Sequence, residues 1–141
     1  MTALSDISAA AVERARQGLY NARALRLVPP EVLRGSFVPA AGGCHQVREE
    51  VRSRVQFRVQ NLLADRPPAD RLDIIFCRNV MIYFDRAAQV RLVDGIFADA
   101  LGPGGYLFVG HSESLSGLSR RFAYAAELKA PIYRRRGEGQ A

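Results

Sequence analysis

Two short apolar runs separated by a helical pattern constrain the fold of this chain more than any other feature of its sequence. The runs lie at residues 74–77 and 106–109. Continuous apolar strands are typical of parallel sheets covered on both faces. The helix between them is predicted to begin after an Asp85 N-cap and to run to Leu101, where a Gly-Pro-Gly-Gly sequence ends it. This alternation of strand, helix and strand predicts an α/β fold with a mostly parallel sheet.

The beginning of the chain predicts half of another strand–helix–strand unit. Residues 2–4 form a short extended segment, and Asp6 follows it directly. Ser8 is a predicted N-cap for a helix over residues 9–17, and Gly18 is its predicted end. An acid therefore lies between a strand and a helix, where α/β proteins bind nucleotides.

The remaining segments are predicted from weaker signals. Residues 19–54 are predicted to be irregular, with one short helix that begins at Pro30. Residues 55–59 alternate apolar and polar side chains, the period of a half-buried strand. The tail from Phe122 to Arg136 contains two short extended pieces, which we expect to form an antiparallel hairpin.

Polar residues cluster where three predicted strands end. The carboxyl ends of parallel strands are the usual place for a ligand in such sheets. The clusters are Asp6, the pair Arg78-Asn79, and the triplet His111-Ser112-Glu113. Their convergence on one edge is the main indication of a functional site.

Two of the candidate residues have both a ligand-binding and a local structural interpretation. The carboxylate of Asp6 is placed to accept hydrogen bonds from both hydroxyls of a ribose, or to cap the helix that follows. The amide of Asn61 offers a donor and an acceptor to an adenine edge, or belongs to an ordinary turn. The sequence alone leaves both alternatives open.

Spacing argues against a hydrolase and against a metal site. Residues 110–114 (GHSES), after the second apolar run, resemble the G-x-S-x-G motif of serine hydrolases, but Ser114 replaces the final glycine. No histidine follows Ser112 to act as its base. The potential zinc ligands lack C-x-x-C or H-x-x-x-H spacing; they are Cys44, His45, Cys77 and His111. No metal is therefore predicted, and Cys77 is interpreted as a small buried hydrophobe.

Charge narrows the classes of partner. The net charge is +6, which favours acidic partners such as nucleic acid, anionic membrane or a carboxylate-rich protein. Acids are interspersed almost everywhere, so no phosphate-binding stripe is formed and nucleic acid is not the predicted partner. No apolar run reaches about 18 residues, so no membrane insertion is predicted. Two cysteines and no secretory leader predict a location in the cytoplasm.

Two long segments give the chain a specific resemblance. Residues 73–85 (DIIFCRNVMIYFD) and 101–114 (LGPGGYLFVGHSES) closely resemble the CheR family, S-adenosylmethionine-dependent methyltransferases that esterify glutamates on bacterial chemoreceptors. The resemblance covers nearly the whole chain. It implies a Rossmann-like class I methyltransferase fold with an inserted β-subdomain at about residues 27–51, which helps to dock the receptor, and a C-terminal antiparallel hairpin.

The resemblance assigns cofactor-binding roles position by position. It implies that Asp6 holds the ribose of S-adenosylmethionine, and that Asn61 and Leu62 line the adenine site. Arg78 and Asn79 match residues beside the cofactor.

The resemblance also implies one catalytic residue and a protein substrate. Tyr83 matches the family tyrosine near the transferred methyl group. The acceptors are glutamates on acidic, helical chemoreceptors, and a glutamate (reference pKa about 4.3) is already ionised at neutral pH. Catalysis then comes from alignment and desolvation rather than from a strong base, with the Tyr83 hydroxyl as a positioning group.

In members of the family, a helical domain, the first strand and the cofactor loop come before the position that matches Met1. We therefore expect a sheet that is incomplete between the strand before Asp6 and the strand at 74–77, and residues 1–141 that are catalytically silent by themselves. Two alternatives stay open. One is a non-catalytic module that binds a receptor or a signalling protein; the other is an arginine-rich nucleic-acid binder.

Overall fold

Strands and helices alternate through the chain, in a mixed α/β arrangement with parallel and antiparallel sheets. The computed structural model describes residues 2–137, and the chain divides into two compact units, one ending at Asn61 and the other beginning at Leu62. The strands are β1 (Thr2–Asp6), β2 (Leu19–Asn21), β3 (Phe37–Pro39), β4 (Cys44–Val47), β5 (Val55–Val59), β6 (Leu72–Cys77), β7 (Leu101–Val109), β8 (Phe122–Tyr124) and β9 (Ile132–Arg135). The helices are α1 (Ala9–Gln17), α2 (Pro30–Ser36), α3 (Glu49–Arg52), α4 (Arg86–Val90) and α5 (Ala98–Ala100).

The predicted start and end of α1 are confirmed. The Ser8 hydroxyl accepts a hydrogen bond from the Ala11 N–H at 3.2 Å, the geometry of an N-cap. Gly18 adopts a φ of 64°, a left-handed conformation that glycine accepts without strain, and its N–H closes the last turn. The helix follows β1, which pairs in parallel with β5.

The prediction of irregular structure over residues 19–54, made from the local pattern, is wrong, whereas the β-subdomain that the resemblance implied agrees with the structure. Three short strands in this segment form an antiparallel sheet in the order β2-β4-β3. Strands of three or four residues are too short for an alternating pattern to stand out in the sequence. The Arg52 side chain on α3 donates to the carbonyl oxygens of Arg16 and Gln17, so this insertion also caps the end of α1.

The second unit contains a four-stranded sheet in the order β6-β7-β9-β8. Strands β6 and β7 are parallel, and β8 and β9 form the predicted antiparallel hairpin. The helical segment begins after Asp85, contains a π-helical stretch at Arg91–Phe97, and ends at Ala100, one residue before its predicted end. Its buried side chains pack on the sheet; they include Leu92, Val93, Phe97 and Ala98.

The expectation that both faces of β6 are covered is wrong. Ile74 and Phe76 are 48% and 68% exposed, whereas Cys77 is buried. Phe76 stacks on Phe108 of the neighbouring strand, with ring centroids 4.4 Å apart. The core lies on the other face of the sheet, so within residues 2–137 the face that carries Ile74 and Phe76 is left partly uncovered. A continuous apolar run does not reveal whether one or both faces are covered.

The described strands form three separate sheets, and β1 and β6 belong to different ones. The outer edge of β6 has no strand partner among residues 2–137. None of the helices in this part of the chain is long and apolar enough to cross a membrane.

Candidate functional site

In the first unit, the parallel pair β1–β5 brings two predicted site residues to one edge. Asp6 lies opposite Val59 in the register, and the Gln60 N–H donates to the Asp6 carbonyl oxygen at 2.9 Å. Asn61 therefore follows directly beyond the same carboxyl edge. Both Asp6 and Asn61 are exposed.

The side chain of Asp6 has a local structural role. Its Oδ1 atom accepts a hydrogen bond from the Ser8 N–H at 2.8 Å, which stabilises the turn between β1 and α1. The carboxylate is nevertheless exposed, so it remains accessible to a ligand. The N-cap of α1 is Ser8 and not Asp6, so the capping interpretation of Asp6 is wrong, and the ribose-binding interpretation stays a prediction.

In the second unit, the predicted site residues lie on the loop that follows β6. Arg78 and Asn79 are exposed, and Asn79 adopts a φ of 58° in the left-handed region. A short 3₁₀ turn at Met81–Tyr83 follows. Tyr83 is 81% exposed, so its hydroxyl and most of its ring are free to meet a ligand. Leu62, by contrast, is half-buried against the core of this unit.

A buried carboxylate, that of Glu113, organises this loop. The side chain is only 8% exposed, and each of its oxygens accepts two backbone hydrogen bonds. Oε2 accepts from the N–H groups of Asn79 at 2.9 Å and Gly110 at 2.6 Å. Oε1 accepts from those of Val80 at 3.0 Å and Met81 at 2.8 Å. Four donors compensate the cost of burying the charge.

These contacts decide the charge state of the region. Burial by itself raises the pKa of Glu113, but the four N–H groups outweigh it and hold that pKa below its ordinary value. Glu113 is therefore ionised at neutral pH. Burial, together with the Glu113 charge, raises the pKa of the Cys77 thiol to about 12. Cys77 thus stays protonated, in agreement with its interpretation as a small hydrophobe.

The loop is also held from its carbonyl side. Gln89 Nε2 donates to the carbonyl oxygens of Met81 at 2.9 Å and Phe84 at 3.2 Å. Asp85 Oδ1 accepts from the Ala88 N–H at 2.8 Å, which confirms the predicted N-cap. A residue with a highly exposed side chain, Tyr83, therefore lies on a backbone that is fixed on both sides.

Gly110 permits the close approach of the loop to the end of β7. A Cβ atom at this position would lie 2.4 Å from Asn79 Oδ1 and 2.8 Å from Glu113 Oε2, so no other residue fits without displacing them. Two of the three predicted polar clusters, Arg78-Asn79 and His111-Ser112-Glu113, are thus brought together. Asp6 lies in the first unit.

Beside this contact is a cavity of about 210 Å³. It is lined by Met81, Ile82, Gln89, Ser112, Glu113, Ser114 and Leu118. No group of three or more His, Cys, Asp or Glu side chains within residues 2–137 is arranged to hold a metal ion.

Sequence reasoning identified Glu113 only as one member of a polar cluster and missed Gln89 altogether. The one signal for Glu113 was an acid four residues after a buried strand. No sequence pattern indicated that three of its four partners lie more than thirty positions earlier. Gln89 sits in a helix whose pattern gave no indication of a role.

Comparison with known proteins places this geometry in context. Residues 2–130 match the family described as CheR methyltransferase, SAM binding domain. The chain is 43% identical over 119 residues to a chemotaxis protein methyltransferase of Vibrio parahaemolyticus, covering 84% of this chain and 43% of the relative. It is 42% identical over 122 residues to that of Escherichia coli K12, covering 84% and 42%. Chemotaxis protein methyltransferase 2 of Vibrio cholerae is 35% identical over 139 residues, covering 97% and 48%. The chain thus spans less than half the length of these relatives.

Proposed function

The chain belongs to the CheR methyltransferase family, and on that premise we propose that it acts in the S-adenosylmethionine-dependent esterification of glutamate side chains on bacterial chemoreceptors. The observation that carries the proposal is the family match over residues 2–130, which includes both the β1–β5 edge and the loop bound to Glu113. The relatives are about twice as long as this chain. The roles proposed below therefore concern only residues that this chain contains.

The β1–β5 edge fits the nucleoside part of the cofactor. An exposed carboxylate at the carboxyl end of a parallel strand is suited to accept hydrogen bonds from ribose hydroxyls, and Asp6 has that placement. Asn61, on the same edge, offers an amide to the adenine. We assign Leu62 to an apolar contact with the adenine ring, on the strength of the family resemblance.

The loop after β6 fits a role in orienting charged groups. Arg78 carries a permanent positive charge and is exposed, so it is available to pair with a carboxylate. Asn79 adds an amide beside it. We assign both residues to the surroundings of the cofactor.

The bound cofactor supplies an activated methyl group on a sulfonium. The attacking glutamate is ionised at neutral pH, so the protein has no proton to remove and its task is alignment. The Tyr83 hydroxyl, exposed on a fixed backbone, is suited to orient the reacting carboxylate. A net charge of +6 complements a glutamate-rich receptor helix.

The test is transfer of a labelled methyl group from S-adenosylmethionine to a purified chemoreceptor fragment. Because the chain spans less than half the length of its relatives, the assay compares the chain alone with the chain supplemented by the part of the E. coli relative that the match does not cover. We expect label in the supplemented reaction. Glutamate methyl esters release methanol in alkali, so the label is expected to be base-labile.

Three other results would contradict the proposed substrate or support one of the two alternative functions. Alkali-stable label would indicate methylation of nitrogen and contradict the proposed substrate. Receptor binding without label in either reaction would support the non-catalytic module instead. Strong, salt-dependent binding of DNA without receptor binding would support the nucleic-acid alternative.

A further inference from the structure

Glu113 has no part in the chemistry argued above, yet its buried carboxylate binds the loop that carries Tyr83. We propose that Glu113 is a positioning residue, whose carboxylate fixes the backbone of residues 79–83 and thereby the orientation of Tyr83. The proposal depends on the proposed function only for what Tyr83 then does.

The geometry of the donors supports this role. Three consecutive N–H groups, those of Asn79, Val80 and Met81, point at one carboxylate. Consecutive N–H groups converge in this way only when the backbone is curved into a nest, and the left-handed φ of Asn79 supplies that curvature. An unoccupied nest leaves three aligned N–H dipoles, that of Met81 in a buried place, without the acceptor they have here. The loop conformation and the anion therefore depend on each other.

One residue connects the carboxylate to Tyr83. The Val80 N–H donates to Glu113 Oε1, and the Val80 carbonyl oxygen accepts a hydrogen bond from the Tyr83 N–H at 3.2 Å. The side chain of Tyr83 is 81% exposed, so side-chain packing contributes little to its orientation. The backbone, which Glu113 holds, therefore sets the direction in which the Cα–Cβ bond of Tyr83 leaves the loop.

Glu113→Gln is the first test, because it keeps the size of the side chain and replaces one acceptor oxygen by a donor. We expect amide hydrogen exchange at residues 79–81 and Gly110 to accelerate about tenfold or more. The matched control is Glu127→Gln, which removes the same charge at an exposed position. Unchanged protection in Glu113→Gln, or equal acceleration in the control, would overturn the proposal.

The orientation of Tyr83 is followed by a separate signal. The chain has five tyrosines, so labelling with 3-fluorotyrosine gives five ¹⁹F resonances, and Tyr83→Phe identifies the one from Tyr83. Glu113→Gln is expected to shift or broaden that resonance and to leave Tyr20 of the first unit unchanged. A Tyr83 resonance that does not respond would contradict the positioning role even if the amides exchange faster.

Gly110→Ala disturbs the same contact from its other side. The added Cβ collides with Asn79 Oδ1 and Glu113 Oε2, whereas the control Gly95→Ala adds a methyl where nothing lies within 4 Å. We expect Gly110→Ala to reproduce the changes of Glu113→Gln at residues 79–81 and at Tyr83. If either variant loses as much protection at Leu107 and Val109 in the core strand as at residues 79–81, the role of Glu113 is general stability and the proposal fails.

Turnover provides a double-mutant test in the supplemented reaction. If Glu113 acts through Tyr83, Glu113→Gln lowers kcat strongly in the wild-type background and much less in the Tyr83→Phe background. Equal effects in the two backgrounds would assign Glu113 a role independent of Tyr83. If no variant transfers methyl but the exchange and ¹⁹F results are as expected, the positioning of Tyr83 stands and the proposed function is what fails.

Discussion

Two carboxylates near the carboxyl ends of parallel strands have opposite surroundings. Asp6, at the end of β1, is exposed and accepts one N–H from a residue two positions away. Glu113, shortly after β7, is buried and accepts four N–H groups, three of them from a distant loop. The comparison shows that the position of an acid at a sheet edge does not decide its role. Exposure suits Asp6 to a ligand, whereas burial commits Glu113 to the backbone.

Glu113→Ala is expected to have the largest effect. It leaves four N–H groups without their acceptor, so we expect the free energy of unfolding to fall by about 3 kcal/mol or more. Urea unfolding of the variant and of Glu127→Ala, which removes an exposed acid, measures the difference. A loss no larger than that of the control would show that the buried carboxylate is dispensable.

Asp6→Ala tests the other side of the comparison. Loss of charge-assisted hydrogen bonds to the ribose is expected to weaken binding of S-adenosylhomocysteine by roughly 1.5–3 kcal/mol, while the free energy of unfolding falls by no more than about 1 kcal/mol. Calorimetric titration of the supplemented protein measures the affinity, with Glu31→Ala as the control for charge in the same unit. Unchanged affinity would remove Asp6 from the cofactor site.

Acid should destabilise the Glu113 contact. The pKa of Glu113 is depressed in the folded protein, so its stabilisation is present above the unfolded pKa of about 4.3 and is lost as the pH falls through the folded value. Each unit of depression corresponds to about 1.4 kcal/mol. We expect the free energy of unfolding to fall less steeply with acid in Glu113→Gln than in the wild type. Parallel curves would show that the contact does not depend on the charge.

Tyr83→Phe is expected to have the most selective effect. It deletes one exposed hydroxyl, so stability and cofactor affinity should stay nearly constant while turnover falls by about tenfold. The control is Tyr124→Phe, a tyrosine that is 55% exposed on β8. Equal turnover in Tyr83→Phe and the wild type would leave Tyr83 without a role in catalysis.

Local signals in the sequence were sufficient for much of the fold. Ser8, Gly18 and Asp85 were each predicted to begin or end a helix, and each does so because capping depends on a few neighbouring residues. The local pattern did not predict the sheet β2-β4-β3, since its strands are short and are held by pairing with one another; only the family resemblance implied a β-subdomain here. The open face of β6 was missed because covering depends on distant elements.

Local signals in the sequence also predicted part of the candidate site. Asp6, Arg78 and Asn79 were placed at strand ends by position along the chain, which requires only the order of the elements. The role of Glu113 depends on contacts with residues 79–81, about thirty positions away, and on the absence of a side chain at Gly110. Neither condition is visible before the chain is folded.

Recognition through main-chain atoms has a consequence for how freely this loop can vary. Glu113 contacts Val80 and Met81 through their N–H groups, and every amino acid except proline supplies that group. The side chains at these two positions can therefore diverge, subject to packing, while the loop keeps its shape. A mutational library at 80 should accept many apolar side chains and one at 81 only those that fit the core, where Met81 is buried, with proline excluded at both positions. At 79, only residues that tolerate a left-handed backbone, chiefly asparagine and glycine, should survive selection.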